Sequence, residues 1–361
     1  MIELVAKLVP EAVKKLIPYQ SARRIGGSGR IWLNANELEQ PLHSSSVDAN
    51  YNRYPDFLPH DVASAYQRYA NTQASTLAVR GADEAIDLLI RTFCKPGQDQ
   101  IVICSPTYAM YEFCADSLAI NTLDVPLQAD FNLDVDAIIT QAKHANIVFL
   151  CSPNNPTGNL IPRNDILSVL EGTQDSALVV VDEAYIEFEL QSSIVDLIEQ
   201  YPHLVVIRTL SKAFGLAAVR CGFILASDEV MSYVTKLVPP YPMPDCSANI
   251  VLEALSEKGL ETMHQATRSL IETREWFREM LKTFDFIEHS YASATNFVLL
   301  KIAPDTDLFA VLLDNGIVAR NQTHEPSLSQ CVRITIGSKE SMIEVIEALT
   351  NYSKSNTVNT K

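Results

Sequence analysis

Residues 209–223, TLSKAFGLAAVRCGF, set an amine at Lys212 and a guanidinium at Arg220 in a small, apolar segment where the run LVVIRT ends. Thr209 and Ser211 add hydroxyls, and Gly215 a flexible backbone. Together these groups can hold a phosphate beside a reactive amine. A lone lysine more often lies on a solvated turn with its stem over apolar surface, so such a site needs partners elsewhere in the chain.

Four other stretches offer them. Asp182 in DEAY closes the run ALVVV and, half withdrawn from water, needs a cationic or protonated partner, with the Tyr185 phenol three residues on. In SPNNPTG, residues 152–158, Pro153 and Pro156 fix the backbone around Asn154 and Asn155, and Gly158 permits a tight turn. GADEAIDLL follows the run TLAVR, so the N–H groups near Ala82 and Asp83 open a helix, where a phosphate binds readily. SPTYAMY follows QIVIC and brings Tyr108 and Tyr111, an aromatic face for a planar ligand. Singly, each stretch reads as well as a turn, a helix cap or a core tyrosine. Jointly they describe a planar, phosphorylated ligand with a basic ring nitrogen and a phenolic oxygen, linked to an amine: pyridoxal 5'-phosphate.

The elements that must position these groups alternate short apolar runs with amphipathic, helix-length stretches from Leu77 to about Ala226. TLAVR, QIVIC, NIVFLC, ALVVVD, LVVIRT and GFILA predict a large, mostly parallel α/β sheet with helices on both faces. Functional residues gather at the carboxyl ends of such strands. The proline-rich VPPYPMP, residues 238–244, marks a boundary. Beyond it, helices near 246–257 and 260–283, strands at NFVLLKI and CVRITIG, and a helix near 339–352 predict a smaller α+β unit. The chain thus divides into an arm at 1–40, a large domain at 41–244, a small domain at 245–352 and a flexible tail at 353–361.

Composition narrows the class. With 361 residues, 28 basic against 44 acidic, and a formal charge of −16, the chain disfavours nucleic acid and anionic membrane as partners. It has no apolar stretch near the roughly 18 to 20 residues that cross a bilayer. The first twenty residues read as an amphipathic arm rather than a secretion signal. The seven cysteines, lying mostly in apolar runs without a CxxC pair, read as buried thiols of a reducing cytoplasm. The even spacing of Cys94, Cys104 and Cys114 crosses helix, strand and helix and does not suit a metal. GGSG at 26–29 is a loop rather than a dinucleotide fingerprint, which disfavours a nicotinamide oxidoreductase.

PYQSARRIGG at 18–27, WLNANE at 32–37, NRYPD at 52–56, RGADE at 80–84, CSPNNPTG, DEAYIEF, the lysine segment, PSLS at 326–329 and CVRITIG carry a wider resemblance. Nearly end to end, the chain resembles the fold-type-I, pyridoxal-phosphate-dependent aminotransferases, and within them the histidinol-phosphate aminotransferase family. NELEQP departs from that family's shorter turn. The resemblance implies a large domain with a mostly parallel seven-stranded sheet plus a smaller α+β domain, in a cytoplasmic homodimer with shared active sites. It implies that Lys212 bonds the cofactor, Asp182 pairs with the ring nitrogen, Tyr185 and Asn155 contact the ring oxygen, and Tyr108 stacks on the ring. Ala82, Asp83, Ser211, Arg220 and, from a second subunit, Tyr54 would hold the phosphate. Arg320 and Arg333, with Tyr19 and Asn36 nearby, would bind the anionic end of the substrate. The implied reaction, in histidine biosynthesis, moves an amino group between L-histidinol phosphate and 2-oxoglutarate, giving imidazole-acetol phosphate and L-glutamate. An aromatic aminotransferase or a threonine-phosphate decarboxylase shares the lysine, asparagine and aspartate motifs; PYQSARR and PSLS favour the transaminase. A pyridoxal-phosphate-binding regulatory protein is the alternative of another class.

Overall fold

The computed structural model describes residues 2–18, 34–38 and 51–359. Seven strands, β1 (Ser75–Val79), β2 (Gln100–Ile103), β3 (Asn121–Asp124), β4 (Ile147–Cys151), β5 (Leu178–Asp182), β6 (Leu204–Thr209) and β7 (Gly222–Ala226), form one sheet in the order β1-β7-β6-β5-β4-β2-β3. Buried residues on β5 and β6 alternate between two cores. Val179, Val181, Leu204 and Val206 face one, and Leu178, Val180, Val205 and Ile207 face the other. Helices cover both faces, so the runs read as continuously apolar although side chains still alternate.

One expectation is corrected: GFILA does not run parallel. β7 pairs antiparallel with both β6 and β1. The chain between Thr209 and Gly222 forms only a short 3-10 turn at Ala217–Val219, whereas a parallel crossover is usually made by a helix. Reversal brings the amino end of β7 to the carboxyl edge of its neighbours, and Arg220 with it. The edge strand β3, with exposed ends and a weakly apolar NTLD sequence, escapes a reading based on apolar runs.

The smaller unit is an antiparallel sheet of β8 (Ile287–Ser290), β9 (Phe297–Ile302), β10 (Arg320–Asn321) and β11 (Cys331–Thr335), in the order β10-β11-β9-β8. Phe277, Leu281, Val298, Leu300 and Leu349 share its core. The helix Asp245–Ala254 lies beyond the proline-rich stretch, yet its Val251 packs into the large sheet's core. The last helix, Lys339–Asn359, also runs past the expected end at 352 into the segment read as a flexible tail. It contains neither Gly nor Pro to stop it, and Tyr352 anchors it, edge-on to Phe286 with ring centroids 5.2 Å apart. At the other terminus, Val5, Val9 and Val13 of the arm are buried against the large domain. Lys236 Nζ donates to Lys14 O at 2.9 Å. Six of the seven cysteines are buried free thiols; Cys246 is exposed.

Candidate active site

At the carboxyl edge of the large sheet lies a cavity of about 160 Å³. The turn from β1 into the helix Ala82–Phe93 forms one wall. Gly81 has φ 92°, and a Cβ there would lie 2.6 Å from Arg220 Nη2, so the turn admits only glycine beside that guanidinium. Arg220 is tethered by donating to Ala217 O at 3.2 Å and Arg80 O at 3.3 Å. Ala82, Asp83, Ser211 and Arg220 therefore converge on one corner, combining a helix amino end with a hydroxyl and a guanidinium.

In the same cavity, Asp182 is 1% exposed at the end of β5. Its Oδ1 accepts from Ala184 N at 3.0 Å and its Oδ2 from the Tyr111 hydroxyl at 2.8 Å. Burial pushes this carboxyl up to about 6, opposed by the hydrogen bonds from Tyr111 and Ala184. The Lys212 amine lies 5.4 Å from the centre of the Tyr185 ring. Burial and then the charge of Arg333 lower its pKa, against the pull of Asp182 and Asp83. Burial raises the Tyr185 phenol, whose ring meets Phe297 of the small unit edge-on at 5.3 Å. Tyr108 forms a half-buried wall, with its hydroxyl donating to Asp83 Oδ1 at 2.9 Å.

The two asparagines of SPNNPTG divide their work. Asn154 is buried and ties its loop to the one after β2; its Nδ2 donates to Pro106 O at 2.9 Å and its Oδ1 accepts from Thr107 Oγ1 at 2.9 Å. Asn155 faces the cavity, and its Oδ1 accepts from Arg333 Nη1. Arg333 lies over the Phe297 ring, 5.0 Å from its centre, and its buried Nε has no hydrogen-bond partner among the described residues. Burial lowers its pKa. Arg320 stands directly across from Arg333 in the β10–β11 register and is exposed.

The structure therefore brings together Ala82, Asp83, Tyr108, Asn155, Asp182, Tyr185, Ser211, Lys212 and Arg220, with Arg333 bonded to Asn155. Tyr54 is elsewhere within this chain: half exposed, it stacks on Tyr241 at 4.5 Å, and its backbone N–H donates to Glu37 Oε1. Asn36 is exposed and does not line the cavity. Tyr19 lies outside the described residues. The sequence reading missed the Tyr111 hydroxyl bond, the Thr107–Asn154 brace and a buried Arg208–Glu183 pair at 2.8 Å. For Tyr111 a signal existed in TYAMY, where a second tyrosine follows by one helical turn; only its aromatic face was used.

Fold and cavity are those of a class I and II aminotransferase, and the family model "Aminotransferase class I and II" matches residues 30–349. A histidinol-phosphate aminotransferase of Salmonella arizonae is 43% identical over 346 residues, 96% of this chain and 96% of that protein. The chain belongs to the histidinol-phosphate aminotransferase family. Among solved structures, the histidinol-phosphate aminotransferase of Clostridium acetobutylicum aligns with TM-score 0.78 at 24% identity, covering 84% of this chain and 91% of that one. The enzyme of Sinorhizobium meliloti, solved in complex with pyridoxal-5'-phosphate, aligns with TM-score 0.76 at 23% identity, covering 84% and 83%. At these identities the two structures speak to the fold.

Proposed function

We propose that this chain is a pyridoxal-phosphate-dependent transaminase acting between L-histidinol phosphate and 2-oxoglutarate, with imidazole-acetol phosphate and L-glutamate as products. The carrying observation is the convergence, in one cavity, of a lysine amine, a buried carboxylate and a helix-terminal cradle with Ser211 and Arg220. Its donor set fits the cofactor. The cradle suits a phosphate, and a carboxylate as buried as Asp182 calls for a protonated nitrogen. When bound, pyridoxal phosphate supplies a carbonyl for the amine and a protonated ring that accepts the electrons released at the substrate carbon.

The chain's own groups supply the rest. Lys212 Nζ would hold the cofactor and, as a free amine, would carry a proton off and onto the reacting carbons; its lowered basicity suits it to that exchange. Asp182 holds the proton on the ring nitrogen. Tyr185 and Asn155 would hold the ring oxygen, and Tyr108 would cover the ring. Arg333, kept cationic and presented by β11 beside Asn155, can meet a carboxylate or a phosphate ester with paired donors, as the two half-reactions require. Arg320 extends that positive end; the resemblance adds Tyr19 and Asn36 to the substrate contacts.

A cytoplasmic homodimer with shared sites belongs to the same proposal. The shared site is supported by Tyr54, which is half exposed and does not line the cavity of its own chain. No helix among the described residues is long and apolar enough to cross a membrane.

Single-turnover spectra of purified holoenzyme test the substrate, with each amino donor offered separately. Histidinol phosphate and glutamate should each convert the cofactor to its amino form, and unphosphorylated histidinol far less. Clear preference for phenylalanine or tyrosine would replace this reading by an aromatic aminotransferase, and carbon dioxide release from phosphothreonine by a decarboxylase.

A further inference from the structure

We propose that Tyr111 is a positioning residue for Asp182. Its hydroxyl, donating to Oδ2 at 2.8 Å, keeps the carboxylate ionised and turned so that the ring nitrogen of bound pyridoxal phosphate carries the shared proton. This inference rests on the function proposed above.

Tyr111 lies in the first turn of the helix Met110–Ser117 and is fully buried. Its ring stacks on Phe149 of β4, with centroids 4.8 Å apart and planes 10° off parallel, and it meets Tyr108 edge-on at 5.8 Å. Two aromatic contacts thus fix the ring and leave the hydroxyl aimed at Asp182. The carboxylate needs this donor. Ala184 N satisfies Oδ1 from Asp182's own turn, and among the described residues Tyr111 is the donor that serves Oδ2.

The direction of donation is settled by the two acids. Burial drives the Tyr111 phenol well above its ordinary range, and Asp182 adds to the effect, so the phenol stays protonated. Cys151, its other polar neighbour, is pushed by burial up to about 12 and carries no competing negative charge. Asp182 also feels Asp83, which opposes its charge, and Lys212, which favours it, while Tyr108 and Tyr185 stand nearby as neutral phenols. A carboxylate with two donors is a weaker base than one with a single donor. The weaker base leaves the proton on the ring, where it draws electrons from the reacting carbon.

Holoenzyme loaded with cofactor bearing nitrogen-15 in the ring tests this by NMR. The parent resonance should lie in the protonated pyridinium range. Tyr111→Phe keeps the stacked ring and removes only the hydroxyl. Its resonance should move toward neutral pyridine, and kcat should fall about 10- to 100-fold with little change in KM, the loss expected for one hydrogen bond to a charged group. Phe149→Leu loosens the same stack with the hydroxyl retained, and its resonance should move much less than that of Tyr111→Phe. A pyridinium signal that survives Tyr111→Phe, or that Phe149→Leu shifts as far, overturns the role of Tyr111 alone. A parent enzyme without a pyridinium signal overturns the proposed function and this inference with it.

Discussion

Replacing Arg208 by methionine should cost far more than replacing Arg208 and its partner together. Arg208 is 1% exposed, the bulkiest of the fully buried side chains, and Glu183 is equally buried. Arg208 Nε and Nη2 reach Glu183 Oε2 at 2.9 and 2.8 Å, and Nη2 donates to Ser193 Oγ at 2.7 Å. Glu183 also accepts from Ile194 N at 2.8 Å and Ser193 Oγ at 3.0 Å. Arg208→Met strands a buried carboxylate, a loss of about 3 to 5 kcal/mol. Taking unfolding entropy as about 2.1 cal/mol/K per residue over 361 residues, the melting temperature should fall about 4 to 7 °C. Arg208→Met with Glu183→Leu removes both charges of the pair, leaving the Ser193 and Ile194 donors unserved and taking the guanidinium from Tyr66 and Glu187, so a smaller loss of about 2 kcal/mol is expected. Scanning calorimetry of the holoenzyme at fixed protein concentration reads both values. A single variant that melts no lower than the double would refute the ion-pair account. Glu183 follows Asp182 and Arg208 precedes Thr209, so the single variant should also weaken cofactor binding.

Borohydride reduction of the holoenzyme followed by peptide mass spectrometry should find the pyridoxyl group on Lys212; an adduct on another lysine would refute the assignment. Lys212→Ala mixed with Tyr54→Phe under subunit exchange should recover activity above that of either impaired parent, because one intact site forms per heterodimer; no recovery despite proven exchange would mean that Tyr54 serves its own subunit. Burial pushes the Glu187 carboxyl from its ordinary 4.5 to about 7, against the charge of Arg208. The native state then holds a proton that the unfolded chain has released, so stability falls as pH rises from 4.5 to 7. Glu187→Gln should remove that slope and gain about 3 kcal/mol relative to the parent between pH 5 and pH 8. An unchanged difference across those pH values would show that Glu187 is ionised in the native protein.

The site was legible in sequence to the extent that each functional loop follows directly on a buried strand. Asp182, Asn155 and Lys212 leave the ends of β5, β4 and β6, and strands that pair side by side bring their carboxyl ends together. The register Cys151↔Asp182 already aligns two of those loops. Contacts that depend on how distant units meet were not legible. Arg333 lies 178 residues from Asn155, and alternation along CVRITIG allowed it to face outward. Only the smaller sheet turning β11 against the large one, with Phe297 meeting Tyr185, makes it part of the site. Direction was hidden for a similar reason: GFILA is buried on both faces whichever way it runs, so apolarity carries no sign of its reversal. That reversal is what sets Arg220, from the amino end of its strand, beside a helix start that comes from the carboxyl end of another.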